Sequence, residues 1–420
     1  MTQQTFGGEL RRLREQRGLS LKKFAHLVHY DPGYLSKIEN GLKPPTATLA
    51  KACDTALDTG GTLSALVPAP ALSTSSRVPS EAMGWAEGPW STQYTAIALN
   101  PSSAINDGTG RAVTTETAHE LLVVSANYRR AYRAMPAAAL VEASRAHLLL
   151  ILTLQPAWQT PQVRYLLLRS VGESAVLTAV LFLADLARYS DALEYLTLAQ
   201  DAARENSDPD LTAVVLACRA FLTSFSGGSP GLAAEFAEAA VTASIDGGAG
   251  STTRGWVAAV ASEQLAVLGD ERGSRTHLDV ARNAVAAPEL DQTWAGVGTF
   301  DLAKATAYEG GNLARLGRYG DAVIVLDKAL AGLEPTLHRH RCTALIDRAE
   351  AQLAGGEVDA SCADATAALS IAAHTGHVLS VQRVHRLARA ALPTKALATR
   401  RLWAEALAMS PNVRRCSPSR

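Results

Sequence analysis

Aromatic residues and cysteines are scarce in this sequence. Phe, Trp and Tyr together make up 5% of the 420 residues, and alanine and leucine dominate over runs of β-branched residues. This composition predicts a largely helical chain. The cysteines are odd in number, widely spaced and free of C-x-x-C pairs: Cys53, Cys218, Cys342, Cys362 and Cys416. Such usage excludes a disulfide framework and indicates reduced thiols in a cytoplasmic protein.

A surplus of charge of one sign and a long hydrophobic run are also missing. Lys plus Arg and Asp plus Glu both number 40, and the longest apolar runs, such as 147–158, are interrupted well short of a membrane span. The first residues lead straight into an amphipathic segment instead of a targeting signal. We therefore expect a soluble protein with no membrane partner.

The balanced charge is unevenly distributed along the chain. Residues 1–67 contain nine basic and six acidic residues, residues 381–420 contain nine and one, and the remainder has a net charge of −11. A basic head and tail around an acidic body indicate a localised nucleic-acid surface, or else a tail whose arginines pair with the body. The length of 420 residues predicts two or three domains.

One stretch, residues 20–41, predicts two short helices joined by a tight turn. Ser20 is a good N-cap for the first helix, Pro32 suits the first position of the second, and Gly41 suits its end. Both helices have apolar residues at helical spacing, which predicts one buried face each: Leu21, Phe24, Ala25, Val28, Leu35 and Ile38.

The pattern S-L-x-x-F-A-x₉-L-S-x-I-E-N-G in this stretch resembles the Xre/Cro/C1 class of helix-turn-helix DNA-binding domains. The resemblance covers roughly residues 7–66, and it implies a five-helix DNA-binding domain over residues 1–67 with double-stranded DNA as partner. It also implies that the helix from Pro32 to Glu39 lies in the major groove.

The resemblance assigns base-reading positions to Pro32, Gly33 and Lys37, and phosphate contacts to Asn40 and Lys43. Pro32 and Gly33 stand where relatives often have long amides, so base readout is expected to rely on Lys37, His29 and Tyr34. The alternative is that His29 and Tyr34 only pack on the surface of the domain. The predicted DNA-binding residues are Lys22, His29, Pro32, Gly33, Tyr34, Ser36, Lys37, Asn40 and Lys43.

The segments on either side of this motif are simpler. Residues 7–17 predict a first helix whose arginines (Arg11, Arg12, Arg14 and Arg17) point outward, on a solvated face or toward phosphates. Residues 68–79, PAPALSTSSRVP, are typical of a flexible linker. We predict a linker and an unassigned segment over residues 68–110.

Residues 111–400 contain internal repeats. Five similar segments have hinge positions at Ala187, Gly228, Gly269, Gly317 and Gly356, at intervals of 41, 41, 48 and 39 residues. A helical hairpin of about 40 residues is typical of an α-solenoid, with a plain helical bundle as the alternative. The segment 303–335 resembles a tetratricopeptide repeat. The predicted fold is therefore all-α, a five-helix head followed by a solenoid of tetratricopeptide-like hairpins, with a basic tail over residues 401–420.

Candidate catalytic and metal motifs do not fit their structural requirements. Residues 227–231 match G-x-S-x-G, but that nucleophile motif needs a preceding strand, and here a helical segment precedes it. His338 and Cys342 would share a helix face, but no second Cys/His pair lies nearby in sequence. Residues 247–252 are glycine-rich but lack the lysine of a phosphate loop. We predict no enzymatic activity, no metal and no cofactor.

The sequence thus predicts a transcriptional regulator whose body forms a homodimer and binds a peptide or small effector. The register of segment 303–335 places seven residues on the inner surface of the solenoid: Arg219, Trp256, Glu263, Tyr308, Arg315, Asp347 and Glu350. Its two arginines, Arg219 and Arg315, would hold a carboxylate of the effector. The alternatives are that these residues pair among themselves, that the chain is a constitutive dimeric repressor, or that it is an interaction scaffold with a vestigial head.

Overall fold

The structure, a computed structural model, describes residues 6–28, 30, 32–42, 45, 47–66, 113–154, 160–286, 296–298 and 300–409. The chain divides into two compact units, Met1–Gly88 and Pro89–Arg420, here called the head and the body. The regular elements of the described residues are all helices, which confirms the all-α prediction. The predicted linker and unassigned segment, 68–110, and the end of the tail, 410–420, lie outside the described residues.

The head contains the five helices that the sequence predicts. Its core is built around Phe24, Leu10 and Leu35, which are fully buried and come from three different helices. Gly7 permits the close approach of the first helix to the third, because a Cβ atom there would lie 2.3 Å from the carbonyl oxygen of Ile38. The helices are α1 (Phe6–Gln16), α2 (Leu21–Leu27), α3 (Pro32–Glu39), α4 (Ala47–Leu57) and α5 (Thr62–Ala65).

Arg14 corrects the prediction that the arginines of α1 all point outward. Arg11, Arg12 and Arg17 are exposed, whereas Arg14 is buried against the end of α3. Its Nε and Nη2 donate to the two carboxylate oxygens of Glu39 over 2.6 and 2.8 Å, and its Nη1 donates to the carbonyl of Leu19 over 2.8 Å. Periodicity missed this position because a paired arginine satisfies its charge inside a core that its stem helps to fill.

The body consists of fourteen described helices, most of them arranged as antiparallel hairpins. Six consecutive hairpins, α8/α9 to α18/α19, follow an initial pair, α6 and α7. The helices are α6 (Thr115–Ala131), α7 (Ala137–Leu154), α8 (Pro161–Val180), α9 (Tyr189–Asn206), α10 (Pro209–Phe225), α11 (Pro230–Asp246), α12 (Ser251–Val267), α13 (Glu271–Val285), α14 (Leu302–Arg315), α15 (Tyr319–Gly332), α16 (His338–Ala354), α17 (Val358–Thr375), α18 (Val378–Ala391) and α19 (Leu397–Met409). A π-helical turn, Leu181–Asp185, extends α8.

The hinges of these hairpins follow the predicted repeat. Ala187, Gly269, Gly317 and Gly356 have positive φ angles between 53° and 89°. After each glycine the next N–H bonds to a carbonyl five residues earlier, as in a Schellman cap. The second hinge is Gly227, with φ 80°, and not the predicted Gly228. A sixth hinge, which the sequence reading missed, has Lys395 in the left-handed conformation.

The first helices of the six hairpins (α8, α10, α12, α14, α16 and α18) contact one another in succession and form the inner layer of the body. The stack of helical hairpins confirms the predicted architecture. The stack also closes on itself. Arg339 at the start of α16 bonds to Asp185 at the end of the first hairpin's inner helix, and the N–H of His338 bonds to the carbonyl of Arg133 over 3.1 Å.

Two details of the body differ from the sequence reading. Helix α19 continues to Met409 and buries Leu402 and Ala406, so the predicted boundary at residue 400 falls within a packed helix. Two helical segments, Ala137–Leu154 and Pro161–Asp185, are long and apolar enough to span a bilayer by length and composition. In the second segment 89% of the most apolar window is buried inside the fold, which is also typical of a core helix.

Candidate functional site

The outer face of α3 presents most of the predicted base-reading residues. Pro32, Gly33 and Lys37 are exposed there and Ser36 is partly exposed, while Leu35 and Ile38 on the opposite face are buried. The first residues of the helix therefore project from the head, which is the geometry that groove reading by a recognition helix requires. Lys22, at the start of α2, is exposed as well.

Asn40 differs from its expected role. The side chain is exposed, but its Nδ2 donates to the carbonyl oxygen of Ser36 over 2.8 Å and thus caps the end of α3. The predicted residues His29 and Lys43 lie outside the described residues, as does the side chain of Tyr34. The structure thus groups Lys22, Pro32, Gly33, Ser36, Lys37 and Asn40 on the exposed surface of α2 and α3.

Local bonds and one buried ion pair hold α2 and α3 in place. The Ser20 hydroxyl accepts the N–H of Lys23 over 3.3 Å and starts α2. Arg14 and Glu39, at 6% and 8% exposure, anchor the end of α3 to α1. The orientation of the exposed face of α3 therefore depends on a pair that has no contact with that face.

The body contains an open cavity of about 430 Å³ lined by the inner helices. Six of the seven residues predicted on the inner surface line it: Trp256, Glu263, Tyr308, Arg315, Asp347 and Glu350. Arg219 is not among the lining residues. The preceding residue, Cys218, lines the cavity in its place, and Arg219 Nη2 donates to Gln200 Oε1 over 2.7 Å. The structure therefore places the predicted residues of α12, α14 and α16 on the cavity, whereas on α10 it places Cys218 there instead of Arg219.

Four inner helices carry a chain of ion pairs, here called the ionic belt (Glu263, Arg315, Asp347, Arg383 and Glu350). Arg315 Nη2 lies 2.7 Å from Glu263 Oε1 and 3.9 Å from Asp347 Oδ1. Arg383 Nη2 lies 2.6 Å from Asp347 Oδ1 and 2.7 Å from Glu350 Oε2. Burial alone lowers the pKa of Arg383, but Asp347 and Glu350 outweigh it and raise that pKa. Both belt arginines are thus engaged by carboxylates of the protein.

The amino-terminal ends of α14, α16 and α18 have a different character. Lys304, His340 and His377 line the cavity there. Lys304 is 3% exposed, and burial lowers the pKa of its ammonium to about 8 despite Asp301 and Glu334. Burial, followed by the charges of Arg339 and Arg383, lowers the pKa of His377 to about 3, so its imidazole is neutral at pH 7.

The hydrogen bonds of His377 decide its tautomer. Its Nδ1 accepts the backbone N–H of Ser380 over 3.2 Å and lies 2.7 Å from the Ser380 hydroxyl. In a neutral imidazole the proton then resides on Nε2, which is a donor. His340 Nδ1 is buried and has no hydrogen-bond partner within the described part of the chain.

Aromatic and aliphatic side chains also line the cavity. Phe221 lies between Phe225 and Trp256, with ring centroids 5.8 and 6.3 Å away. Cys218 adjoins them, and burial raises the pKa of its thiol to about 12, so it is protonated. The lining thus combines a lysine and two histidines, an aromatic cluster and the ionic belt.

Lys304, His340, His377 and Arg383 are among the lining residues that sequence reasoning missed. Lys304 precedes Tyr308 by four residues on α14, and His340 precedes Asp347 by seven on α16, so helical spacing alone pointed to both. His377 and Arg383 belong to the sixth hairpin, whose hinge has Lys395 where the other repeats mostly have glycine. Because lysine replaces glycine at that hinge, the sixth repeat lacks the sequence signal that identifies most of the others.

The G-x-S-x-G motif has a structural role in the body. Gly227 forms a hinge, Ser229 is the N-cap of α11, and Pro230 occupies its first turn. The segment before it is the helix α10, and the strand that a nucleophile elbow needs is replaced by a helical hairpin.

Comparison with known proteins bears on the head. Residues 5–67 match the model of a helix-turn-helix domain family. A search of curated proteins found no match to the chain. The match agrees with the predicted domain over residues 1–67 and with the arrangement of α2 and α3. The N-terminal unit is therefore a helix-turn-helix domain, which supports a DNA-binding regulator.

Proposed function

We propose that this chain is a cytoplasmic transcriptional regulator of the Xre type that binds DNA through α3 and senses an effector in the body cavity. The observation that carries the first part is the exposed face of α3, with Pro32, Gly33 and Lys37, in a unit that matches a helix-turn-helix domain. The observation that supports the second is the cavity itself, because concave, mostly apolar cavities of 300–1,000 Å³ are the usual sites for small ligands.

The regulator acts as a homodimer in this proposal. A single head presents one recognition helix, which buries too little surface for useful specificity, so two heads on half-sites about 34 Å apart are expected. Light scattering of the full chain should give twice the monomer mass of 44.2 kDa. A monomeric chain that binds a two-fold symmetric operator no better than a single half-site would remove the dimer from the proposal.

The test of DNA binding is selection from a random duplex library. The full chain should enrich a two-fold symmetric motif, and a gel shift with that motif should show a large loss of affinity when either half-site is scrambled. Failure to enrich any sequence would favour the interaction scaffold with a vestigial head.

The constitutive dimeric repressor is the second candidate, and the ionic belt favours it. In this reading Glu263, Arg315, Asp347 and Arg383 pair only to hold neighbouring hairpins together. An effector matters to DNA binding only through its different affinity for two states of the protein. Operator affinity that stays constant in the presence of extracts from cells in many growth conditions would identify this second function.

A further inference from the structure

We propose that the last hairpin of the body carries a second DNA-contacting surface, which binds phosphates of the duplex outside the bases that α3 reads. This surface, here called the basic end, consists of Arg389, Lys395, Arg400 and Arg401. The proposal goes beyond the proposed function, because it places DNA contacts on the body. It rests on the proposed function in one respect, which is that the chain binds DNA.

The four basic residues lie at one end of a single hairpin. Arg389 precedes the end of α18 by two residues, Lys395 is in the hinge, and Arg400 and Arg401 are the fourth and fifth residues of α19. At 1.5 Å per residue, each of them lies within about 6 Å of the turn along the helix axis. All four are exposed. The hairpin therefore concentrates four positive charges at its turn.

These charges have no carboxylate partner in the described part of the chain. Within it, none of the four side chains forms an ion pair, whereas Arg383 of the same hairpin pairs with the ionic belt. Glu405, the one acidic residue in the sequence from 381 to 409, follows Arg401 by four positions, but it accepts from Thr366 Oγ1 over 3.5 Å. Pairing with the acidic body, the alternative that the sequence left open, thus holds for Arg383 alone among the described arginines of this region.

Several exposed arginines of the earlier hairpins show the opposite arrangement. Arg188, Arg204, Arg275 and Arg318 each have a guanidinium nitrogen within 3.3 Å of an aspartate or glutamate oxygen. Residues 68–380 also have a net charge of −11. The basic end is therefore a positive surface on an otherwise acidic unit, and it is where a polyanion would approach the body.

The position of Arg400 favours a role in binding over a role in folding. It lies in the first turn of α19, which contains no acidic residue. A cation near the amino-terminal end of a helix opposes the helix dipole and does not stabilise the helix. Arg401 adds a like charge beside it. The fold therefore gains no electrostatic stabilisation from these two arginines.

The chemistry of the basic end fits the backbone of duplex DNA. Three of its four residues are arginines, whose planar guanidinium binds phosphate oxygens through two parallel hydrogen bonds. A duplex presents one negative charge per about 1.7 Å of its axis, so several cations meet several phosphates regardless of base sequence. The chain also contains a helix-turn-helix domain, and DNA bound there raises the local concentration of phosphates around the body.

The experiment measures the affinity of the full chain for two duplexes in a gel shift. One duplex is the selected operator alone, and the other has about 20 unrelated base pairs added on each side. In Arg400→Gln with Arg401→Gln the affinity for the longer duplex should fall at least about tenfold at 0.1 M salt, while the affinity for the shorter one stays unchanged. Two phosphate contacts account for this loss, because together they change affinity by about 60-fold between 1 M and 0.1 M salt. The slope of log affinity against log salt should become shallower by about 1.8.

A matched variant separates the basic end from net charge. Arg254→Gln with Arg272→Gln removes two exposed arginines of α12 and α13 that also form no ion pair within the described residues. This control should bind both duplexes like the unmodified chain, and equal losses in the two double variants would overturn the proposal. Unchanged affinity of the Arg400/Arg401 variant for the longer duplex would overturn it as well. If that variant does not fold, Arg389→Gln with Lys395→Gln tests the same surface with the same expected loss.

Two further measurements separate this proposal from its neighbours. If no operator is selected, the proposed regulator fails, and the variants are compared on an unrelated 60-base-pair duplex. A loss there in the Arg400/Arg401 variant but not in the control would still support the basic end as a phosphate-binding surface. Sedimentation of the unmodified chain with phosphatidylglycerol vesicles provides the other test. Vesicle binding that the Arg400/Arg401 variant loses, with its DNA affinity unchanged, would assign the basic end to a membrane and overturn the proposal.

Discussion

Arg339 donates a hydrogen bond from Nε to Oδ1 of Asp185 over 2.7 Å, although 154 positions of sequence separate the two residues. Their side chains are 3% and 0% exposed. The guanidinium of Arg339 also lies over the ring of Tyr132, 4.3 Å from its centroid. One side chain of the fifth hairpin thus holds the first helices of the body, and this contact ties distant hairpins of the stack together.

Replacing Arg339 by methionine should therefore open the body and destabilise it. The change leaves Asp185 buried without its cation, which costs about 3–5 kcal/mol in comparable pairs. Urea unfolding would measure the loss of stability, and small-angle scattering would detect a larger radius of gyration. Arg204→Met is the control, because Arg204 pairs with Asp201 on the surface and should contribute less than about 1 kcal/mol. Equal losses in the two variants would show that the long-range pair does not hold the body closed.

Lys37 and Lys43 should affect DNA binding differently. Lys37→Ala removes an exposed side chain of α3 and should cost about 1–3 kcal/mol and relax the sequence preference if it reads a base. Lys43→Ala should weaken binding evenly across sequences and reduce the salt dependence, as expected for a phosphate contact. Gel shifts at several salt concentrations measure both effects, with Lys328→Ala in the body as control. Unchanged operator binding in the double variant would contradict the assignment of α3 to the groove.

Lys304 should make the stability of the body depend on pH. Its pKa is lowered from 10.5 to about 8 in the folded chain, because burial outweighs the attraction of Asp301 and Glu334. The neighbouring titratable group in the cavity is the imidazole of His340. Between pH 8 and pH 10.5 the unfolded chain keeps the proton on the Lys304 side chain, whereas the folded chain has released it. The contribution of Lys304 to the free energy of unfolding should therefore rise from pH 8 to 10.5, by up to about 3 kcal/mol. Urea midpoints across this window would show the rise in the unmodified chain and a smaller one in Lys304→Met.

Two hinge substitutions should have opposite effects. Ala187 and Gly317 occupy equivalent hinges with φ angles of 53° and 80°. The left-handed conformation costs a non-glycine residue roughly 1–2 kcal/mol, so Gly317→Ala should destabilise the body and Ala187→Gly should stabilise it. Gly320→Ala is the control, because that glycine lies within α15 with open space around it, and alanine should stabilise the helix by up to about 1 kcal/mol. Thermal unfolding would rank the three variants, and a loss in Ala187→Gly would contradict the strain at that hinge.

The sequence by itself determined the local structure of both units. Caps, hydrophobic spacing and glycine positions act over a few residues. The helix starts at Ser20 and Pro32 and the hinges at Gly269, Gly317 and Gly356 could therefore be predicted without knowing which other helices they pack against. Six of the seven residues that the same spacing put on the inner surface line the cavity, because the inner face of a helix depends on its own apolar pattern. The register failed by one residue at Gly228 and Arg219, where the repeat is most degenerate.

Only the tertiary structure decided which charges meet. Arg14 pairs with Glu39 inside the head, the arginines of the ionic belt join different hairpins, and Arg339 reaches Asp185 across the whole inner layer. Each hairpin adds a small rotation to the stack, and the sum of these rotations determines whether the last repeats meet the first. No local pattern encodes that sum. The sequence therefore predicted a surface of inward residues, and the packing of six hairpins made that surface the lining of a cavity.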